Sequence, residues 1–292
     1  MHELIKNLRK IIKEFIDSFP ITDTAYARIM HLIKVGRILH LNPPETFNEK
    51  IHWINLFGDI EQFSHLVDKV SVREFVAKQL GEEYLKPVYG VYNNVEEIAF
   101  DTLPSVFVLK ATHGSGWTFL FDKNKKPDIR KVNKILSDWL STNYYNKYRE
   151  RVYKNIVPRI IAEKFIDPTG SMVDYKFFCF NGRAEYINTM VEYWSPTGYL
   201  AGDYYDRNWQ HCEFTDGRQT LTPLQKPENL EHMIDISEKL ARQIPFVRVD
   251  LISSGKEVFF GEMTFTPVAG YTPFNPHEWD RKFGDLINLS LI

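Results

Sequence analysis

Residues 107–117, FVLKATHGSGW, set the reading of the chain. An apolar run enters at Phe107, reaches Lys110, and breaks into a loop with two glycines and two hydroxyl residues. A second β-rich run, WTFLF, follows at residues 117–121. Glycine lets successive backbone N–H groups converge on an anion, and a lysine at the strand end adds a point charge for phosphate. The spacing is not Gly-x-x-x-x-Gly-Lys, which disfavours a P-loop, and no helix follows, which disfavours a Rossmann fingerprint. The loop therefore reads as a hairpin cover joining two strands, either an ordinary turn or the phosphate end of a nucleotide site.

Further along, DYKFFCF at residues 174–180 alternates so that Asp174, Lys176 and Phe178 share one face. A charge in so apolar a strand sits at its end, in a pair, or against a ligand. Arg248-Val-Asp250 and Gly261-Glu-Met-Thr264 each lie in a strongly apolar run, with a tight turn at 253–256 between them. Antiparallel pairing of those runs sets Asp250 beside Glu262. Two carboxylates there repel unless a cation or Arg248 lies between them. Hard oxygens suit Mg²⁺; the alternative is that Asp250 pairs with Arg248 and Glu262 is solvated.

The 292 residues carry 36 Lys and Arg against 38 Asp and Glu, a net charge of −2, so no overall basic field is available for nucleic acid. Apolar residues at 43% with 25% charged describe an ordinary globular chain. Cys179 and Cys212 cannot build a disulfide framework and read as inert packing residues in a reduced, cytoplasmic setting. No run approaches the roughly 18–20 apolar residues of a membrane span, and no signal peptide is legible.

Residues 1–16 pattern as a helix with Lys6, Arg9, Lys10 and Lys13 on one face. That helix covers a core or makes peripheral contact with the inner face of the membrane. Helices are expected within 24–57, with Thr46 capping one, over 68–81, and at about 129–143 and 227–243. From Phe107 on, β-rich runs dominate. The domain boundaries expected are a helical region at 1–66, a linker and lid at 67–162, and a metal-bearing subdomain at 163–292.

The chain resembles the ATP-grasp superfamily and, within it, the teichuronopeptide-biosynthesis (TupA-like) family of bacterial surface-polysaccharide loci. The matching residues are Phe47-Asn-Glu-Lys50 with Trp53, Asp68-Lys69 with Arg73, and Phe107 to Gly116. Ile161 to Ile166, Asp174 to Phe178 with Gly182, Arg248 to Asp250, and Gly261 to Pro267 with Gly270 continue the match. It covers roughly residue 40 to the C-terminus, and the order of the motifs carries it.

The resemblance implies an α+β ATP-grasp fold, with ATP clamped between two α+β subdomains behind a helical N-terminal region. Lys69 and Lys110 become phosphate lysines. His113, Gly114, Ser115 and Gly116 form the lid over the phosphates, and His113 alternatively an exposed turn residue. Valine at either glycine then weakens ATP binding or turnover without unfolding the protein. Glu163, Lys164, Phe165 and Ile166 become the hinge strand beside adenine, and Lys176 a further phosphate contact. Arg248 stabilises the oxyanion, while Asp250 and Glu262 hold Mg²⁺, with Thr264 as a third ligand where many relatives carry asparagine.

The function implied is an ADP-forming carboxylate–amine ligase working through an acyl phosphate. Its substrates would be a uronic-acid-type saccharide and an amino acid or amine, in capsule or exopolysaccharide biosynthesis. A kinase acting on a saccharide or small molecule uses the same ATP residues. A non-catalytic or glycosyltransferase-like protein of such loci is a third reading. Trp194, Tyr199, Tyr204, Tyr205, Trp209 and Tyr271 read as core, or as stacking surface for sugar rings.

Overall fold

The computed structural model describes residue 16 and residues 19–166, 172–191, 201–217, 223–254 and 256–291. The helix expected at residues 1–16 lies almost wholly outside them, as do Trp194 and Tyr199. Along the chain the helices are α1 (Asp23–Val35), α2 (Phe47–Phe57), α3 (Ser64–Val67), α4 (Ser71–Gln79), α5 (Ile129–Leu140), α6 (Tyr145–Tyr148), α7 (Leu230–Leu240) and α8 (Glu278–Asp285). The strands are β1 (Val88–Tyr92), β2 (Val106–Ala111), β3 (Thr118–Asp122), β4 (Ile160–Lys164), β5 (Val173–Phe180), β6 (Arg183–Val191), β7 (Ala201–Asp206), β8 (Phe246–Ser253) and β9 (Val258–Thr264). Among the described residues no helix is long and apolar enough to cross a membrane.

The chain forms two compact units. One gathers residues 1–59, 214–217 and 266–292. Its α2 starts at a capping box: the Thr46 hydroxyl accepts from Glu49 N–H at 3.3 Å, and Glu49 Oε2 accepts from Thr46 N–H at 3.0 Å. Phe47, fully buried, packs edge-on against Phe274 and Phe283, and Phe214 stacks on Trp279. Buried Asn48 ties α2 to the C-terminal stretch. Its N–H and side-chain amide donate to the two oxygens of Asp280, at 2.9 and 3.0 Å, and its Oδ1 accepts from Thr272 N–H at 2.9 Å.

The other unit, residues 60–213 and 218–265, holds two antiparallel sheets, ordered β1-β4-β2-β3 and β7-β6-β5-β8-β9. In the first sheet, alternation sends Phe107, Leu109, Ala111, Ile160 and Ala162 into one core with Val132 and Leu136 of α5. Lys110 and Glu163 fall on the opposite face. In the second sheet, Phe177, Cys179, Val247, Val249 and Leu251 are buried on the face opposite Lys176 and Asp250. Helix α7, with Met233, Ile234 and Leu240 buried, packs on β5, β6 and β8.

Both cysteines are buried, and burial pushes the Cys179 thiol up, which makes it a poor nucleophile. Tyr204, Tyr205 and Trp209 are buried, with Tyr205 stacked on Trp209 at 4.2 Å, so these aromatics are core rather than a sugar platform.

Candidate active site

Lys69 follows α3 and Asp68, whose carboxylate accepts from Val70 N–H at 2.9 Å and pairs with Arg159 at 2.7 Å. Lys69 lines a cleft together with Arg73 of α4, Lys86, Lys110 of β2, Glu163 of β4 and Glu262 of β9. Lys110 Nζ donates to Glu163 Oε2 at 2.8 Å, and Arg73 lies 3.8 Å from Glu163 Oε1. Burial alone would raise the Glu163 carboxyl, but Lys110, Lys86 and Arg73 override it and hold it at about 2. Burial lowers Lys69, and burial with the neighbouring Lys110 charge brings Lys86 down to about 8. Four basic side chains thus share the cleft with two carboxylates. The lining is short of negative charge and fits a multiply charged anion.

The second sheet sets a row of charges by register alone. Lys176 on β5 is opposite Asp250 on β8, which is opposite Glu262 on β9. Arg248, two residues before Asp250 and on the same face, grips it with both fork nitrogens at 2.7 Å. Its Nη2 also lies 3.3 Å from Glu262 and 3.1 Å from the Thr264 hydroxyl. Lys176 Nζ donates to Asp174 at 2.7 Å and to Asp250 at 2.8 Å. Burial would raise the Asp250 carboxyl, yet Arg248 and Lys176 bring it below its ordinary range. Asp250 is buried, whereas the Glu262 side chain is 36% exposed in the cleft wall.

This geometry places several of the expected residues. Lys176 is paired with both Asp174 and Asp250. The Thr264 hydroxyl donates to Glu262 Oε1 at 3.1 Å and accepts from Arg248, so it orients Glu262. Arg248 does lie between the two carboxylates. Their hard oxygens suit Mg²⁺, which takes one or two protein carboxylates and fills its shell with phosphate oxygens and water. Among the described residues no cluster of three or more His, Cys, Asp or Glu could hold a metal.

The loop at 112–117 does join two strands, with Lys110 of β2 opposite Thr118 of β3. It is anchored at two points. Lys69 Nζ donates to the Gly114 carbonyl at 2.6 Å, and His113 Nε2 lies 2.9 Å from the Trp139 carbonyl. His113 is buried at the C-terminal end of α5, which corrects both its phosphate-contacting and its exposed readings. Gly116 is exposed and adopts φ +73°, as a positive-φ turn demands. Gly114 is instead a packing site, where a Cβ would come within 2.6 Å of Tyr144 and 2.8 Å of Trp117.

The residues expected as a hinge lie at the end of β4. β4 is an interior strand, and Glu163 is registered against Val88 on one side and Val108 on the other, so its side chain is what faces the cleft. Lys164 N–H bonds the Pro87 carbonyl, while Phe165 and Ile166 continue past the end of the strand.

Sequence reasoning overlooked Lys86. It sits between Leu85 and Pro87 with no glycine or motif beside it, and only the fold brings it to Lys110.

No curated protein matches the chain. Among solved structures, the D-alanine–D-alanine ligase of Bacillus anthracis complexed with ATP is similar at 15% identity, over 85% of this chain and 68% of that one, with a TM-score of 0.42. A RimK-domain ATP-grasp protein of Sphaerobacter thermophilus is similar at 13% identity, over 82% and 76%, with a TM-score of 0.41. The ATP-grasp ligase PsnB, complexed with a precursor variant, Mg and ADP, is similar at 8%, over 74% and 57%, with a TM-score of 0.41. A family model, TupA-like ATP-grasp, matches residues 49–288, which takes in every cleft residue described above. The basic cleft and the carboxylate row thus belong to a chain that is a member of the TupA-like ATP-grasp family.

Proposed function

We propose that the protein is an ADP-forming carboxylate–amine ligase that joins an amino acid or amine to a uronic-acid-type saccharide in surface-polysaccharide biosynthesis. The observation that carries the reading is the single cleft lined by Lys69, Lys110 and Glu262, with Arg248 and Asp250 directly behind Glu262. Bound MgATP would supply an activated phosphoryl group to a substrate carboxylate with release of ADP, and an amine would then attack the acyl carbon and expel inorganic phosphate to leave the amide. Lys69 and Lys110 neutralise phosphate charge, and Asp250 and Glu262 would hold Mg²⁺. Arg248, held by Asp250 and Glu262, would face developing negative charge on the acyl oxygen. No protein nucleophile is required by this chemistry. We place the protein in the cytoplasm, with residues 1–16 as a peripheral contact at the inner face of the membrane.

The test is mass spectrometry of purified protein with MgATP, uronate-bearing glycans and a pool of amino acids. The expected result is a condensation product with stoichiometric ADP, lost in Lys110→Ala. ADP with a stable phosphorylated acceptor, and no amide when amines are supplied, would overturn ligation in favour of a kinase.

A further inference from the structure

The connection between α5 and β4 reads NYYNKYRERVYKNIVPR over residues 143–159. It carries five basic residues against one acid, Glu150, which is buried. The whole chain is net −2, so this excess of positive charge is local. Two of the five are committed to structure: Arg151 forks onto Glu61 at 2.8 and 2.9 Å, and Arg159 pairs with Asp68 at 2.7 Å. The other three lie over aromatic rings. Lys147 Nζ is 5.5 Å from the centre of the Tyr144 ring and 5.9 Å from that of Trp117, while Arg149 and Lys154 approach Tyr145 at 5.7 and 5.3 Å. A ring face attracts a cation without cancelling its charge.

Lys147 and Lys154 are exposed, and Arg149 is half-buried. The left-handed backbone of Arg149, φ 60°, ends α6 and lets Lys154 return to the ring of Tyr145. The patch is continuous with the cleft through packing. Lys69, which lines the cleft, donates to the Gly114 carbonyl, and a Cβ at Gly114 would come within 2.6 Å of Tyr144 and 2.8 Å of Trp117. Those are the two rings that carry Lys147. Cations interleaved with tyrosines along a short stretch fit a ligand that has both carboxylates and apolar ring faces, which is an acidic oligosaccharide. A bilayer asks for several exposed aliphatic side chains beside the charge, and of the large apolar residues in 143–159 only Val157 is well exposed.

We propose that Lys147, Arg149 and Lys154 form a docking surface for a carboxylate-bearing oligosaccharide, holding the acidic acceptor alongside the cleft. The inference rests on the reading of the acceptor as a uronic-acid-type saccharide, and names the residues that select it. Carboxylates of the saccharide pair with the three cations, and the planar fork of Arg149 suits a carboxylate better than a point charge does. Tyrosine faces receive the sugar rings. No covalent bond changes. Because two of the cations are exposed, the attraction weakens as salt is added.

The experiment is titration calorimetry of the full chain with oligogalacturonate, with its neutral methyl ester, and with a single-stranded oligonucleotide. Wild type should bind oligogalacturonate about tenfold more tightly than the ester, and the preference should shrink as salt rises. The variant Lys147→Gln/Arg149→Gln/Lys154→Gln, with an unchanged melting temperature, should bind oligogalacturonate roughly tenfold more weakly. It should bind Mg²⁺ with a non-hydrolysable ATP analogue as wild type does. Lys154→Gln alone, at an exposed site, should weaken oligogalacturonate about threefold, and Lys154→Arg should restore it. Full oligogalacturonate binding by the folded variants, an ester bound as well as the acid, or no binding by wild type would overturn the docking surface. Tighter binding of the oligonucleotide would overturn it in favour of nucleic acid. All of these outcomes leave ligation to be judged by its condensation product, whose absence with wild type would overturn the ligase reading instead.

Discussion

His52 is a buried imidazole whose Nε2 has no hydrogen-bond partner, set edge-on to Tyr271 at 4.7 Å and to His31 at 5.7 Å. Burial, reinforced by His31, pushes it down to about 3. Because the folded value lies below the unfolded one, stability is complete above about pH 6.5 and is lost as pH falls from there toward 3. Urea melts at pH 7 and pH 5 should therefore differ by about 2 kcal/mol, and His52→Gln should flatten that difference. An unchanged slope in the variant would remove His52 as its source. At this scale, legibility followed local chemistry. Arg248, Asp250 and Glu262 advertise themselves as charges inside apolar runs. Lys86 does not, and His113 misleads because a histidine beside glycines looks exposed when it is turned into the end of α5.

Among elements, the β2–β3 hairpin separates two demands that both call for glycine. At Gly116 the backbone has φ +73° and a Cβ would meet open space, so Gly116→Ala should cost only the left-handed penalty, about 1 kcal/mol. At Gly114 the added methyl meets Tyr144 and Trp117, so Gly114→Ala should cost about 1–3 kcal/mol and disturb Trp117 fluorescence. Thermal melting that ranks the two the other way would contradict this division. The expected strands from residue 107 onward all form, because each is a β-branched or aromatic run long enough to register. β1 and β7 escaped notice: VYGVY is broken by Gly90, and AGDYYD has too few apolar residues to show alternation. Helix α4 begins at Ser71 rather than Asp68, whose carboxylate accepts from Val70 N–H in the turn before it.

For the whole molecule, the informative feature is that each unit is assembled from separated stretches. Asn48 is bonded to Thr272 and Asp280 across more than two hundred residues, at separations of 224 and 232. No sequence periodicity carries such a pairing, which is why the front helices and the tail read as unrelated segments. Asp280→Asn keeps shape but sets one amide against another. It should destabilise the unit by about 2–3 kcal/mol, seen as a lower denaturant midpoint with an unchanged slope; no change would show the contact to be dispensable. The same separation has a bearing on biosynthesis. At roughly 5–20 residues per second, translation delivers Thr272 on the order of tens of seconds after Asn48. During that interval the nascent α2 has Phe47 but neither Phe274 nor Phe283 to receive it, so this unit closes only after the stretch carrying both has left the ribosome.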